Sequence, residues 1–157
     1  NLLRAASSQG GSMLMNVGLL PDGGIPSKAS EILLEVGQWM KTNGESIYRA
    51  EDKGMLTCAA GGHSVSGSNA YIHARDWQFP EIAIGGLENP VKRVVCLATG
   101  KTVSFIQDKL RLRLLDLPKV PPDKIDTVFR IEVEGKLKIR ESFPAWLAAE
   151  KTSWLSE

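Results

Sequence analysis

The side chains that most often perform covalent chemistry are few in this sequence, and their spacing forms no recognised catalytic motif. His63 lies in a Gly/Ser-rich stretch and His73 on a polar-leaning strand face, and neither has a Ser, Cys or Asp at a spacing that predicts a catalytic triad. The serines at 64, 66 and 68 form no GxSxG elbow, and the glycine pairs match no phosphate-binding loop. We therefore expect both histidines to be solvated or hydrogen-bonded structural residues.

Two cysteines, Cys58 and Cys96, lie far apart in the sequence, with no CxxC motif and no Cys/His cluster nearby. A disulfide requires a specific geometry that spacing alone does not reveal, and two buried free thiols are the favoured interpretation. A zinc site is not expected, because four ligands are hard to assemble from two cysteines and two histidines. We therefore predict neither a metal site nor a bound cofactor.

Aromatic side chains offer a second kind of candidate site. The alternation over residues 70–77 places Tyr71 and Trp77 on one face of a strand, together with His73 and Arg75. Aromatic rings on the surface of a sheet can stack on sugar rings, so Tyr71 and Trp77 are candidates for a glycan platform. The alternative is that Trp77 packs at the edge of the sheet or against a neighbouring domain.

The composition is that of a globular chain and argues against two kinds of partner. The 157 residues include 19 Lys and Arg and 18 Asp and Glu, for a formal net charge of +1, and 43% are hydrophobic. Nucleic-acid binding normally needs a concentrated basic face, and a membrane helix needs a longer apolar run, so neither partner is expected. Residues 1–6 resemble a helix already in progress, which favours the C-terminal portion of a longer protein.

The most regular segment, residues 10–48, predicts one βα unit. The apolar run Met13–Val17 follows two glycines and predicts a buried strand. After a loop rich in Gly and Pro, Pro26 or Ser27 opens a helix, and Asn43-Gly44 is expected to end it through a left-handed residue. The apolar side chains of this helix recur at three- and four-residue steps on one face: Ala29, Ile32, Leu33, Val36 and Met40.

From about residue 55 the pattern changes to short strands separated by Gly and Pro turns. Alternation is clearest over 110–114, where leucines face one way and arginines the other, and over 129–134. The stretch from Gly61 to Ser68 is interpreted as a loop or an irregular hairpin tip. Such spacing is typical of an antiparallel β-sandwich.

These patterns divide the chain into three parts. Residues 1–50 are predicted to be α/β, residues 51–136 an antiparallel β-sandwich, and residues 137–157 a tail of uncertain structure, such as a terminal strand followed by a short helix. The predicted fold class is therefore α/β followed by all-β.

The opening segment resembles the end of the catalytic barrel of α-L-fucosidases, glycoside hydrolase family 29. The run GGSMLMNVGLLPDGGIP, followed by SEILLEVGQWMKTNGESIY, is similar to the last barrel strand of that family, its DG-IP loop and the next helix. Farther on, Tyr71-Ile72-His73-Ala74 and Ile125-Asp126-Thr127-Val128 are similar to the family's C-terminal sandwich. Ser12 and Leu19 depart from the pattern, which commonly has Asn and Pro there.

The resemblance implies that the chain is the last βα unit of a (β/α)8-type barrel joined to a β-sandwich. The implied activity of the parent protein is retaining, exo-acting hydrolysis of terminal α-L-fucose from glycans. The implied nucleophile and acid/base lie upstream, so no catalytic residue is expected here. The implied partners are fucosylated glycans and the upstream barrel, in an extracytoplasmic location. The alternative is a non-catalytic carbohydrate-binding or structural β-sandwich module.

Within this resemblance, Asn16 and Trp77 are the candidate substrate-binding residues. Asn16 follows what would be the eighth barrel strand, at the face where barrel active sites form. The alternative is that its amide satisfies backbone groups of a tight turn. Asp22-Gly23 is expected to serve the turn rather than catalysis, and Trp39 is expected to pack on the barrel.

Overall fold

The computed structural model describes residues 2–9, 11–51 and 54–140. The helical elements are α1 at Leu2–Ser8, α2 at Ser27–Asn43 and a 3-10 helix at Gly44–Ser46. The strands are β1 at Thr57–Cys58, β2 at Gly61–Ser66, β3 at Asn69–Ala74, β4 at Ile82–Gly85, β5 at Val91–Cys96, β6 at Phe105–Gln107, β7 at Arg111–Leu114 and β8 at Thr127–Val133. The predictions for 141–157, most of the tail, lie outside the described residues.

Helix α2 begins where predicted but ends differently. Pro26 precedes its first turn with φ −53°, as expected for a residue whose ring fixes that angle. Gly44 is right-handed, with φ −59°, and the chain continues into the 3-10 helix, so the prediction of a left-handed stop there was wrong. A Cβ on Gly44 would lie 2.8 Å from Cε2 of Tyr48. The glycine therefore provides room for a close approach, and the positive φ falls at Arg49.

The predicted strand at Met13–Val17 is not a strand in the structure. The segment from residue 11 to residue 20 has no regular secondary structure, and the side chain of Leu14 is 90% exposed. A strand is stabilised by a neighbouring strand that takes up its backbone hydrogen bonds, and no such neighbour is paired with this segment among the described residues. The apolar run therefore has no strand partner among the described residues.

All eight strands among the described residues pair antiparallel, in two sheets of four. The first sheet has the order β1-β4-β7-β6 and the second sheet the order β2-β3-β8-β5. The predicted antiparallel organisation of this half of the chain is thus confirmed. The alternation read from the sequence holds in β7, where Leu112 and Leu114 are buried, and in β8, where Phe129 and Ile131 are buried.

One hydrophobic core is shared by the two sheets. Each sheet contributes the apolar side chains of one face, since neighbouring residues of a strand point to opposite faces. The first sheet contributes Ile82, Ile84, Leu112 and Leu114, and the second sheet contributes Val65, Ala70, Ile72, Val94, Phe129 and Ile131. The core also includes Leu137, and Ile139 forms an antiparallel bridge with Leu87. The chain therefore continues to pack on the sheets just beyond residue 136.

The stretch predicted as a loop at Gly61 to Ser68 is mostly strand β2, and only Gly67 and Ser68 form the turn to β3. Gly61 lies so close to the carbonyl oxygen of His73 that a Cβ would overlap it, and Arg4 of α1 fills the space beside Gly62. The glycines here permit close packing rather than a flexible loop.

Strand β3 is buried on both faces, which differs from the predicted polar-leaning face. Ile72 faces the core, whereas Tyr71 and His73 face the other way and are nevertheless buried. Helix α1 and the 3-10 helix pack on β2, the neighbour of β3. The helical segment therefore covers this outer face of the second sheet, and it brings buried polar residues of the two parts together.

Candidate functional site

Asn16, the first candidate for substrate binding, is exposed in the irregular segment that precedes a compact turn. The Leu20 N–H donates to the carbonyl of Gly24, and the Gly23 N–H donates to the carbonyl of Leu20. Asp22 Oδ1 accepts the Gly24 N–H at 2.9 Å. Gly23 has φ +85°, a conformation that favours glycine. The prediction that Asp22-Gly23 serves the turn is confirmed, and Asn16 lies outside it.

Trp77, the second candidate, follows β3 and is half-buried. Its ring stacks on Phe129 of the core, with centroids 6.1 Å apart and planes at 20°. Its Nε1–H donates to the carbonyl of Pro118 at 3.0 Å. Tyr71, which was paired with it as a glycan platform, is buried. The structure therefore does not bring Asn16, Tyr71 and Trp77 together as one site.

Residues 14–34 expose a series of large apolar side chains, which we call the apolar surface. Its members are Leu14, Met15, Leu19, Leu20, Ile25, Ile32 and Leu34. Leu34, in the middle of α2, is 71% exposed, and Asn43 is the only buried residue of that helix. An isolated exposed leucine is ordinary, but seven large exposed apolar side chains within one short segment are typical of a segment that faces a partner.

The end of α2 and the 3-10 helix, residues 39–46, contact the second sheet, and we call this contact region the seam. Its helical side consists of Trp39, Asn43, Glu45 and Ser46, and its sheet side consists of Ser64, His73, Asp123, Asp126 and Arg130. Trp39 Nε1–H donates to the carbonyl of Asp126 at 3.0 Å, and its ring lies 6.4 Å from that of His73. The indole of Trp39 is thus turned to the second sheet, and its expected packing on a barrel stays a prediction.

The centre of the seam is a chain of hydrogen bonds from Ser46 through Ser64 and His73 to Asp126. The Ser64 hydroxyl donates to the carbonyl of Ser46 at 2.5 Å and lies 3.1 Å from His73 Nε2. His73 Nδ1 lies 3.1 Å from Asp126 Oδ2. His73 is fully buried. Sequence spacing missed this Ser-His-Asp arrangement, because the three residues come from β2, β3 and the loop before β8.

The Ser-His-Asp arrangement is not a nucleophilic site. A catalytic serine must be accessible and must give its proton to the histidine. Ser64 is buried, and its single proton is already donated to the carbonyl of Ser46. The arrangement therefore supports the joint between the helical segment and the second sheet.

A ladder of charged side chains runs beside the seam, from Glu45 through Arg130 and Glu132 to Arg93. Arg130 binds Glu45 and Glu132, and Arg93 donates to Glu132 at 2.8 and 3.2 Å. The hydrogen bond from Arg93 lowers the pKa of Glu132, and the pKa of Arg93 is raised in turn. Burial, followed by the nearby carboxylate of Glu45, raises the pKa of Tyr71. Each acidic side chain of the ladder is thus paired with an arginine.

A shallow cavity of about 460 Å³ lies at the turn between β6 and β7, lined by Asp108, Lys109, Leu110, Arg111 and Arg113. Asp108 accepts the backbone N–H groups of Leu110 and Arg111, which lower its pKa. Arg113 lies 3.3 Å from Glu81. Asp108 in the turn and Glu81, just before β4, thus already balance part of the basic charge.

The described residues offer neither a metal site nor a membrane-spanning helix. No cluster of three or more His, Cys, Asp or Glu side chains in this part of the chain could hold a metal ion. No described helix combines the length and the apolar character needed to cross a membrane.

The arrangement of two sheets with preceding helices occurs in solved glycoside hydrolase structures. α-L-Fucosidase isoenzyme 1 from Paenibacillus thiaminolyticus superimposes with a TM-score of 0.77 at 30% identity, over 84% of this chain and 33% of that one. The α-L-fucosidase from Vibrio sp. strain EJY3 superimposes with a TM-score of 0.74 at 27% identity, over 88% of this chain and 26% of that one.

Sequence comparison gives the same family. The α-L-fucosidase family model matches residues 1–45. Tissue α-L-fucosidase of Mus musculus is 32% identical over 141 residues, which are 84% of this chain and 29% of the mouse protein. The chain belongs to the α-L-fucosidase family, and it spans less than a third of the length of the mouse relative.

Proposed function

We propose that this chain is the C-terminal part of a retaining exo-α-L-fucosidase, with residues 1–50 completing a (β/α)8-type barrel and residues 51–136 forming an accessory β-sandwich. The observation that supports the proposal is that two features fall on the same segment. The family match covers residues 1–45, and that segment bears the apolar surface, with Leu14 90% and Leu34 71% exposed. The partner of the apolar surface in this proposal is the preceding part of the barrel.

The chemistry assigned to the parent protein requires two carboxyl groups. A retaining glycosidase places them roughly 5–5.5 Å apart, one as the nucleophile and one as the acid/base. The proposal assigns both to the preceding barrel, as the family resemblance implies. The present chain would close the barrel, support the pocket from one side and act, with the barrel, on fucosylated glycans in an extracytoplasmic location.

Asn16 is the proposed contact of this chain with the substrate. Active sites of (β/α)8 barrels form at the carboxyl ends of the strands, and Asn16 lies near the end of the segment that would be the last strand. Its exposure supports this role. The self-contained turn at Leu20–Gly24 would then form part of the rim of the pocket.

The test compares the 157-residue chain with the same chain extended upstream by its natural sequence. We expect no turnover of an aryl α-L-fucoside by the chain alone, and turnover with retention of configuration by the extended protein. Turnover by the chain alone would contradict the upstream placement of the carboxylates. An extended, folded protein without fucosidase activity would contradict the function itself.

The role of Asn16 has its own experiment in the extended protein. Asn16→Ala should raise KM or lower kcat for the fucoside by roughly tenfold, the effect of removing one polar contact worth about 1.4 kcal/mol. Lys101→Ala, an exposed change after β5, is the control and should leave both constants unchanged. Unaltered kinetics in Asn16→Ala would remove Asn16 from the site.

A second candidate function is carbohydrate binding at Trp77 without chemistry. The partial exposure of Trp77 and the exposed ring of Phe79, two residues farther on, favour it. Binding of the isolated chain to a glycan array, lost in a folded Phe79→Ser variant, would support this function. An array without binders would count against it.

A further inference from the structure

Asn43-Gly44 is the only Asn-Gly dipeptide of the sequence, and it is not the left-handed helix stop that the motif predicts. Gly44 is right-handed, with φ −59°, and Asn43 is buried. Asn-Gly is also the dipeptide in which asparagine loses its side-chain amide most readily, because glycine has no Cβ to hinder attack by its backbone nitrogen. The dipeptide therefore places a reactive amide inside the seam.

The reaction of this dipeptide needs no partner other than water. The backbone nitrogen of Gly44 attacks Cγ of Asn43 and loses its proton, a C–N bond forms, and Nδ2 leaves as ammonia. Water then opens the resulting five-membered succinimide ring at either carbonyl, which gives aspartate or isoaspartate at position 43. The product carries a carboxylate in place of the neutral amide.

The docked seam holds the backbone of the dipeptide away from the reactive geometry. Ring closure requires the Gly44 nitrogen to lie on the side of Cβ of Asn43 when viewed along the Cα–C bond. Asn43 has ψ 0°, which turns that nitrogen towards the backbone nitrogen of Asn43 instead. The same Gly44 N–H donates to the carbonyl of Met40. Attack therefore requires the last turn of α2 to unwind.

The side-chain amide of Asn43 is also held. Its Nδ2 donates to the carbonyl of Trp39 at 3.2 Å and lies 3.5 Å from Asp123 Oδ2. Its Oδ1 is buried and has no hydrogen-bond partner among the described residues. Attack on Cγ would place negative charge on Oδ1, and a buried oxyanion without a donor is strongly disfavoured. The contacts of the docked seam thus make the reaction slow.

We propose that Asn43 is a site of spontaneous deamidation that the docked seam suppresses, and that the reaction makes an opening of the seam permanent. The new carboxylate would face Asp123 Oδ2 and the carbonyl of Trp39, two acceptors that the amide now satisfies. Like charges at this distance repel each other, and a carboxylate without a cation is costly to bury. The modified helical segment therefore cannot return to the same contact.

Peptide mapping by mass spectrometry, after incubation of the extended protein at mildly alkaline pH, measures the reaction. In urea, Asn43 should be the fastest-reacting asparagine of the chain. In the native protein it should react roughly a hundredfold or more slowly, because it reacts only during local opening. Equal rates in the native and the unfolded protein would overturn the proposal. This readout does not use fucoside turnover, so it is independent of the proposed function.

Trp39→Phe separates opening of the seam from a general loss of stability. It removes the Nε1–H that donates to the carbonyl of Asp126 at 3.0 Å, so the native rate at Asn43 should rise by about three- to tenfold, as for the loss of one hydrogen bond. Trp77→Phe is the matched control. It removes an indole donor that lies 3.0 Å from the carbonyl of Pro118, outside the seam, and should leave the rate unchanged. Equal rates in the two variants would overturn the proposal.

Asn43→Asp carries the carboxylate of the product from the start. Solvent exchange of the Trp39 indole N–H should accelerate by about tenfold or more, while exchange of the Trp77 indole N–H, the internal control, should not change. Adding Asp123→Asn exchanges amide and carboxylate across the contact and should restore part of the protection, or the fold itself if Asn43→Asp alone does not fold. Unchanged exchange at Trp39 in Asn43→Asp, or no recovery in the double variant, would overturn the permanence of the opening.

Discussion

Arg130 of β8 holds Glu45 of the 3-10 helix from 85 positions away in the sequence, with Nη1 at 2.9 and 3.1 Å from the two carboxylate oxygens. The contact joins the end of the helical segment to the centre of the second sheet. Arg130 also binds Glu132, so its guanidinium is held by two carboxylates. The ionic contact and the hydrogen bonds of Ser64, His73 and Asp126 thus hold the same joint at two points.

Replacing Arg130 should weaken this joint measurably. Arg130→Gln is expected to lower the free energy of unfolding by about 1 kcal/mol, since the pair with Glu45 is partly exposed and solvent weakens it. Urea denaturation of the chain measures the change. Arg75→Gln, which removes an exposed pair with Asp76, should cost almost nothing. Equal losses of unfolding free energy in the two variants would contradict the prediction, because the Arg130–Glu45 pair would then contribute no more than the exposed Arg75–Asp76 pair.

Acid should weaken the second sheet through Glu132. The hydrogen bond from Arg93 holds the pKa of Glu132 below its ordinary value of 4.5 in the folded chain. A carboxyl whose folded pKa is depressed stabilises the fold above its unfolded pKa, and this contribution is lost as pH falls through the folded value. The free energy of unfolding should therefore fall below about pH 4.5. Glu132→Gln should show a shallower fall over the same range, and an unchanged slope would contradict the assignment.

The thiol of Cys58 should react slowly in the native chain. Burial raises its pKa above the ordinary 9.0, although the N–H groups of Ala60 and Gly61 oppose this effect. Because the thiolate is the reactive form, alkylation by iodoacetamide at neutral pH should be slower than that of a free cysteine. Measurement in a Cys96→Ala background isolates the signal. The rate should rise in urea, and a native rate equal to that of free cysteine would refute the prediction.

Two glycine replacements should have opposite effects. Gly61→Ala should cost more than about 3 kcal/mol, because the new Cβ would overlap the backbone carbonyl of His73 and the φ of +154° disfavours a side chain. Gly37→Ala, in α2, meets nothing within 4 Å and should stabilise the chain by up to about 1 kcal/mol through helix propensity. Thermal unfolding of both variants measures the contrast. A tolerated Gly61→Ala would mean that β2 and β3 can separate at this point.

The parts of the fold that the sequence predicts correctly are those stabilised by short-range patterns. The start of α2 follows from Pro26, and β7 and β8 follow from alternation, because each has one face in the core. The strand predicted at Met13–Val17 does not form among the described residues, because a strand depends on its neighbours as much as on its own residues. Strand β2 was missed because its glycines serve close approaches by Arg4 and by the carbonyl of His73, which composition does not distinguish from a loop.

The Ser64-His73-Asp126 arrangement could not be predicted from spacing, because Asp126 is 53 residues beyond His73. The proximity of Ser64 and His73 could have been predicted. Recognition of the two-residue turn at Gly67-Ser68 would have fixed the register of the β2–β3 hairpin and placed Ser64 and His73 as diagonal neighbours on one face. The remaining contact of Ser64 is with the carbonyl of Ser46, a backbone group that no side-chain motif contains.

That use of backbone acceptors has a consequence for how freely the seam can vary between related sequences. Ser7, Trp39 and Ser64 all donate to main-chain carbonyls, at Ile47, Asp126 and Ser46. Every amino acid has such a carbonyl, so the accepting positions can change identity without losing these bonds. The donating positions cannot. Substitutions at the accepting positions should therefore preserve these hydrogen bonds, whereas substitutions that remove a donating side chain should break them.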